Sequence, residues 1–328
     1  MDLLFLGTSA GVPTKKRNVT GLALQEEMGS DWFLIDCGEA TQHRLLRTRL
    51  SMHDLQAIFI THVHGDHCYG LPGLLASAGM SGRKKPLPII APAGIAEWFN
   101  ATRQFTQLYL PFDVEFLPAE ALGQWAFPRW TVDATPLSHR VPSFGYRFTE
   151  TAREPHLNTE KLNAEGIARG PIWGQLRKGI DVLHEGQTFK SADYVYYPYA
   201  ARCLVVCGDN DQPELLRTFC QLAQVLVHES TYTQDVADRA GDTFGHSSAA
   251  GIASFAQSCG LPNLVLTHFS ARYQANPEQS PSIEDIRSEA AHYYQGSLFL
   301  AEDLARYRLA KTGVLRAANK TSLTNADR

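Results

Sequence analysis

His62-Val63-His64-Gly65-Asp66-His67 sets three imidazoles and a carboxylate within six residues, directly after the apolar run Ala57-Ile58-Phe59-Ile60. A strand running out into a glycine turn lets the alternate side chains His62 and His64 converge on one point, and puts Asp66 and His67 on the far side of the turn. The pattern points to a metal-binding cluster at a strand end. Four ligand-grade groups exceed what one ion takes from a single loop, so a second ion about 3.5–4 Å from the first is expected. A solvated, histidine-rich turn is the plain alternative.

The remaining ligands must come from distant parts of the chain. Asp209 follows Cys203-Leu204-Val205-Val206-Cys207-Gly208, and His268 follows Leu264-Val265-Leu266-Thr267; each is a short buried-strand pattern that delivers a ligand at its carboxyl end. Open α/β sheets put their chemistry at such ends. His139, in Thr135-Pro136-Leu137-Ser138-His139, is a third candidate, with an ordinary surface loop as its alternative.

Working outward, apolar runs suggest strands at 2–6, 32–36, 57–61, 87–91, 113–117 and 130–135, with helices at 39–50, from His67 onward and around 95–108. The second half repeats the style, with strands at 203–207, 224–228, 263–268 and 297–301 and helices at 213–223, 247–259 and 282–294. Alternation of this kind argues for an α/β fold. With 328 residues, 44% of them hydrophobic, the chain can bury one large core. It has no run of eighteen apolar residues, and Met1-Asp2 leads straight into a strand pattern, so a soluble, cytoplasmic protein with no membrane partner is expected. Six cysteines, at 37, 68, 203, 207, 220 and 259, show no C-x-x-C spacing and are expected as reduced, buried thiols. Cys68 adjoins His67 but is left out of the ligand set.

These residues resemble the metallo-β-lactamase superfamily, whose signature is H-x-H-x-D-H followed by a later His, Asp and His. Within it the chain is most similar to the ribonuclease Z branch. Thr8-Ser9-Ala10-Gly11-Val12-Pro13, Asp36-Cys37-Gly38-Glu39-Ala40-Thr41-Gln42-His43, Gly70-Leu71-Pro72-Gly73-Leu74, His228-Glu229-Ser230-Thr231, Gly245-His246-Ser247-Ser248 and Ala301-Glu302-Asp303-Leu304 follow in the family order. The likeness covers about residues 1 to 304. Ala40 stands where the family has Gly, and Ser230 where it has Ala. Neither side chain ligates or moves protons, but an Ala40 held at positive φ would strain the backbone.

The resemblance implies a metallo-β-lactamase αββα sandwich with a protruding flexible arm: a catalytic domain over 1–310, the arm inserted at 153–197, and a polar tail over 311–328. It implies two zinc ions per subunit, with Mn2+ or Co2+ as substitutes. His62, His64 and His139 would hold one and Asp66, His67 and His268 the other, with Asp209 bridging. Asp66 would also orient or deprotonate the attacking water, and His246 would be the general acid, its tautomer held by Glu229. The alternative for His246 is a neighbour of the helix cap at Ser247 or Ser248. Asp36 and Asp303 are each implied to accept a hydrogen bond from a metal-bound imidazole, and His228 reads as buried structure.

A net charge of −4 speaks against nucleic acid as a sum, but local distribution matters more. Arg83-Lys84-Lys85 and the series Arg44, Arg47 and Arg49 are runs of the kind usually found on solvated faces. Pro13-Thr14-Lys15-Lys16-Arg17-Asn18 matches the P-x-K-x-R-N loop of many ribonuclease Z sequences, which implies that Lys15, Arg17 and Asn18 lie near the active site and handle the CCA end. The arm carries Arg153, Lys161, Arg169, Arg177, Lys178 and Lys190 around Gly170-Pro171, and by resemblance it grips the elbow of a tRNA. The implied activity is that of a homodimeric endoribonuclease that cuts the 3′ trailer from precursor tRNA near the discriminator base. A small-molecule phosphodiesterase or arylsulfatase on the same scaffold is the alternative. A non-catalytic RNA-binding protein is disfavoured because every expected ligand position is filled.

Overall fold

Strands marked by unbroken apolar runs form the middles of two sheets, since a strand covered on both faces has no side left for polar residues. The computed structural model describes residues 1–318 apart from Met28 and Pro277. The first sheet orders Leu315–Ala318, Arg306–Leu309, Asp2–Gly7, Gly21–Gln25, Trp32–Ile35, Leu55–Phe59, Leu87–Ala91 and Val114–Pro118. The second orders Ser297–Leu300, Asn263–Thr267, Val225–Glu229, Cys203–Cys207, Ser143–Glu150, Trp130–Leu137 and Gln124–Ala126. In each sheet the last four or first four of these strands run parallel, so their carboxyl ends share one rim.

Leu3, Phe5, Phe33 and Phe59 of the first sheet meet Trp130, Tyr146, Phe148 and Val206 of the second in the central core. The Phe59 ring packs 5.2 Å from Phe148 and 5.1 Å from Tyr146, and each such aromatic contributes roughly 1.5–3 kcal/mol by leaving water. Helices Leu71–Met80 and Ile95–Phe105 cover the outside of the first sheet, and Ala249–Ser258 and Ile283–Tyr293 the outside of the second. The layers are therefore αββα, as the resemblance implied.

The departures have local causes. The helix expected over 39–50 is confined to Thr41–Leu45 and is entered through Ala40 at φ 59°, the left-handed conformation in which a Cβ is strained. Over 213–223 a 3₁₀ turn at Pro213–Leu216 stands where a helix was expected, because exposed Leu215 and Leu222 leave no continuous apolar face. Ser143–Glu150, a central strand, escaped the apolar reading because Gly145 and Arg147 interrupt it. The polar tail expected from 311 must be corrected. Leu315 is buried in the central core, so Leu315–Ala318 returns as an edge strand on Arg306–Leu309. Residues 319–328 of that tail lie outside the described residues. Arg83 is likewise no solvated charge: it is 2% exposed and donates to the carbonyls of Met52, Leu55, Lys85 and Pro86.

Between Glu150 and Arg202 the chain leaves the second sheet and builds a small unit of its own. Strands His156–Leu157 and Val195–Tyr196 pair, helices Thr159–Ala164 and Pro171–Arg177 follow, and Val182–His184 with Gln187–Phe189 make a hairpin. Leu162, Ile167, Leu176, Val182, Phe189 and Tyr194 form its separate core. At its neck Glu150 accepts from Arg202 Nη2 at 2.8 Å and Nε at 3.1 Å. Among the described residues no helix is long and apolar enough to cross a membrane.

Candidate metal centre

Leu55–Phe59 runs on through buried Ile60 and Thr61 to His62, and the chain turns at His64 into the short helix Gly65–Cys68 that carries Asp66 and His67. Asp209 follows Cys203–Cys207, His139 follows Trp130–Leu137 and His268 follows Asn263–Thr267. His268 itself sits at φ 57°, a left-handed turn that a β-strand ending elsewhere would not need. The rim thus gathers all seven side chains singled out in the sequence as ligands.

They fall into two groups. His62 Nε2 is 3.1 Å from His64 Nδ1, which is 3.2 Å from His139 Nε2, and Asp209 Oδ2 lies 3.5 Å from His62 and 3.7 Å from His139. In the second group His67 Nε2 and His268 Nε2 are 3.2 Å apart, with Asp66 Oδ2 at 3.4 and 3.3 Å from them. Asp209 turns its other oxygen to this group, with Oδ1 3.6 Å from His67 and 3.4 Å from His268. Ligands about 2.0–2.1 Å from a tetrahedral ion stand roughly 3.3–3.4 Å apart. Both groups have that spacing, and one carboxylate spans them.

The proton positions follow from what holds each ring from behind. His67 Nδ1–H donates to Asp36 at 2.7 Å. The Thr61 hydroxyl donates to the same carboxylate at 2.9 Å, so its lone pair accepts from His62 Nδ1–H at 3.0 Å. The second sheet repeats the device, for the Thr231 hydroxyl donates to Glu229 and accepts from His268 Nδ1–H at 3.0 Å. His139 Nδ1–H donates to Gly245 O at 2.8 Å, in a turn where Gly245 has φ 63° and an added Cβ would sit 3.1 Å from that ring. With the outer nitrogens protonated, the inner ones of His62 and His139 are lone pairs facing Nδ1 of His64 at close range, while the inner nitrogen of His67 gives up its proton only where a cation takes its place beside Asp66 and Asp209. That arrangement repels itself unless a cation lies between, so the donor set fits two divalent ions.

Charge divides the groups. Burial, reinforced by neighbouring imidazoles, holds His62 and His64 below the ordinary imidazole value and so neutral. Burial also opposes charge on His67, but Asp66, Asp36 and Asp209 outweigh it and drive the ring well above the ordinary value. Asp66 is the converse case: burial would raise it, yet charged His67 and the bonds from His268 and His67 hold it well below the carboxylate range. Gly11 N–H adds a bond to its Oδ2 at 2.7 Å. The second group therefore demands positive charge.

Beside both groups His246 Nδ1 lies 3.1 Å from each oxygen of buried Glu229 and 3.7 Å from Asp209 Oδ2. Burial disfavours its protonation, but the Glu229 carboxylate outweighs burial and raises it to about 9. Glu229 in turn, although buried, is brought down to about 2 by His246. At neutral pH the pair is imidazolium and carboxylate, and His246 borders a cavity of about 850 Å3 together with Asp211, Tyr232 and Ser248.

The other expected residues are spread out. The loop of Lys15, Arg17 and Asn18 lies at the rim: Lys15 is exposed, the Arg17 guanidinium stacks 5.3 Å from the Phe269 ring, and the Asn18 amide donates to Glu39 O at 2.7 Å. Gly170 and Pro171 open the helix Pro171–Arg177 in the arm, apart from the metal centre. Asp303 must be reassigned, for it touches no imidazole; it accepts from Thr8 Oγ1 at 2.8 Å, Asn18 N at 2.7 Å and the Arg44 guanidinium, and so anchors the loop. Arg44 is thereby no free solvated charge either. His228 is buried against Glu229 O and Asn210. Sequence reasoning gave no role to Thr61 or Thr231, and it missed Asn210. Asn210 takes bonds from Ser138 N and Ser247 Oγ and donates from its own N to Glu229, which ties together the loops of His139, Asp209 and His246. Its one visible signal is its place next to Asp209.

A family model described as Anti-Pycsar protein Apyc1 matches residues 1–101, the stretch that carries the H-x-H-x-D-H cluster. The chain is 56% identical over 318 residues to a ribonuclease Z of Pseudomonas putida, which covers 97% of this chain and 100% of that relative. Among solved structures, the short form of human tRNase Z superposes with a TM-score of 0.64 at 26% identity, over 94% of this chain and 100% of that one. The metallo-β-lactamase fold protein YhfI of Bacillus subtilis gives 0.63 at 18% identity, over 93% and 98%, and shares the fold.

Proposed function

This chain belongs to the ribonuclease Z family, and on that premise we propose that it is a zinc-dependent endoribonuclease that cuts the 3′ trailer from precursor tRNA near the discriminator base, leaving a 3′-hydroxyl on the tRNA. The observation that carries the reading is Asp209, which gives one oxygen to each of two tetrahedrally spaced donor groups beside a protonated His246. His62, His64 and His139 would hold one ion, and Asp66, His67 and His268 the other. The nitrogen and oxygen donors suit zinc, with Mn2+ or Co2+ as substitutes. Divalent ions held there acidify water and offset charge on a phosphate.

The chain's own residues do the rest. Asp66, kept ionised, orients the attacking water and accepts its proton. His246 keeps Nδ1–H on Glu229 and offers Nε2–H to the leaving 3′ oxygen of the tRNA. Lys15 and Arg17 border the rim where the CCA end would lie.

Residues 153–197 hold six Arg or Lys and six Asp or Glu, so the arm is neutral as a whole. Its grip on tRNA relies on shape and on a local grouping, since His156, Arg169, Trp173 and Arg177 line a groove of about 730 Å3 beside Gly170 and Pro171. Leu46, Tyr69, Met80, Phe105 and Tyr109 are large apolar side chains left exposed on or beside the helices of the first sheet. That surface supports a homodimer. Six free cysteines, five of them buried, support residence in the reducing cytoplasm.

The arm also separates this reading from a small-molecule phosphodiesterase, which has no use for it. Its ends are already close, with Arg153 Nη1 donating to Tyr199 O at 3.1 Å, so 153–197 can be replaced by a short linker. That deletion is expected to spare hydrolysis of a small chromogenic diester and abolish cleavage of precursor tRNA. Undiminished tRNA cleavage would contradict the role of the arm.

A further inference from the structure

Arginines outside the metal centre converge at the far end of the first sheet. Asp2 stands opposite both Gln25 and Arg308, Arg308 stands opposite Arg316, and Arg306 lies two residues away on the same face. That face is the outer one, since the intervening Tyr307 and Leu309 fill the core between the sheets. Arg49, just past the helix Thr41–Leu45, joins them around a groove of about 830 Å3.

Two of the four guanidiniums there share one hydrogen-bonded carboxylate. Asp2 accepts from Arg308 Nε at 2.7 Å and Nη2 at 2.8 Å and from Arg306 Nη1 at 3.0 Å. The side chains of Arg49 and Arg316 have no hydrogen bond or ion pair among the described residues. The four arginines outnumber the acids that reach them, Asp2 and the Glu27 that also pairs with Arg202, so at least two positive charges stand together on a chain whose net charge is −4. Fold stability does not ask for this, because like charges directly opposite across strands, as Arg308 and Arg316 are, destabilise a sheet. Protection of an edge strand would account for Arg316. It does not account for Arg306 and Arg308, whose strand is paired on both sides, or for Arg49, which arrives from another element.

The groove is also within reach of the metal centre. From Asp2 to Gly7 the strand spans roughly 17 Å, and the loop after it donates from Gly11 to Asp66. Arg44 Nε donates to Leu6 O at 3.0 Å, so the segment from Arg44 to Arg49 runs beside that strand from the rim to the groove. Guanidinium is the side chain best matched to phosphate oxygens. We propose that the groove of Arg49, Arg306, Arg308 and Arg316 is a second anchor for the ribose-phosphate backbone of the RNA cut at the metal centre. This rests on the endoribonuclease reading above. The phosphates come either from the tRNA body or from the trailer, and the test separates the two.

Arg49→Ala combined with Arg316→Ala removes two guanidiniums and leaves the Asp2 pairs intact. The full-length metal-loaded protein is titrated into fluorescein-labelled mature tRNA, and into a precursor with a long trailer and a non-cleavable linkage at the cut site, across 50 to 200 mM salt. Two lost phosphate contacts lower the slope of log K against log salt by about 1.8, so the wild-type advantage shrinks roughly twelvefold over that range. Arg49→Lys with Arg316→Lys restores the slope, and melting temperatures check that each variant is folded. A loss seen with mature tRNA assigns the groove to the tRNA body, and a loss seen with the precursor alone assigns it to the trailer. Equal affinities and slopes for wild type and the alanine variant on both RNAs overturn the proposal while leaving the endoribonuclease reading untouched; a wild type that binds neither RNA overturns that reading itself.

Discussion

In the metal centre nearly every donor ring is fixed from behind by a buried acceptor, whereas the arm rests on six apolar side chains and an ion pair at its neck. The difference fits the roles proposed for them. In-line attack on phosphorus needs atoms held to fractions of an ångström, which supporting hydrogen bonds supply. Gripping a folded RNA by its shape tolerates a looser part. The two regions should therefore fail separately.

Asp209→Ala is expected to have the largest effect, because it removes a donor from both groups at once. Turnover of both a small diester and precursor tRNA should fall by roughly 10⁴-fold, with bound metal well under two equivalents by elemental analysis. Retention of two ions would break the assignment of Asp209 as shared ligand. His246→Ala should cost about 10³-fold in tRNA cleavage rate while leaving metal content unchanged, as removal of a general acid does. A parallel loss of metal would make His246 a ligand instead.

Thr231→Val keeps the shape of the side chain and removes the hydroxyl between Glu229 and His268. One ion should be held 10–100-fold more weakly in a chelator competition while the other is unaffected. Equal weakening of both would mean that the groups are not separately supported.

The smallest effect on catalysis is expected at the neck. Burial would raise the Glu150 carboxyl, but the bonds and charge of Arg202 hold it below its ordinary value. A depressed carboxylate contributes stability that is present above its unfolded value, near 4.5, and is lost as pH falls through the folded one. Glu150→Gln should reproduce that loss at neutral pH, weakening the neck by about 2 kcal/mol. Amide exchange should speed up over 151–201 and nowhere in the metal centre.

The same contrast governs how much was legible in the sequence. His62, His64, Asp209 and His268 could be read because each ends an apolar run, and a buried strand that ends in a ligand leaves a local mark. Thr61, Thr231 and Asn210 left none: they are common residue types whose meaning lies in the carboxylate or loop that folding brings to them. Asp303 was legible as a motif but not as a partner, since its contact with Arg44 is set by tertiary structure. Polar-looking segments misled in the same way. Arg83 satisfies four carbonyls from a buried position, and Leu315 carries a supposed tail back into the sheet.

The most direct test of a two-metal tRNA-processing site is to incubate the purified protein with a precursor tRNA bearing a 3′ trailer, comparing wild type, a chelated sample restored with zinc, and Asp66→Ala. One metal-dependent cut near the discriminator base, absent in Asp66→Ala, is the expected result. No cut by a wild type that holds two ions and hydrolyses a small diester would contradict it and leave a small-molecule phosphodiesterase in its place.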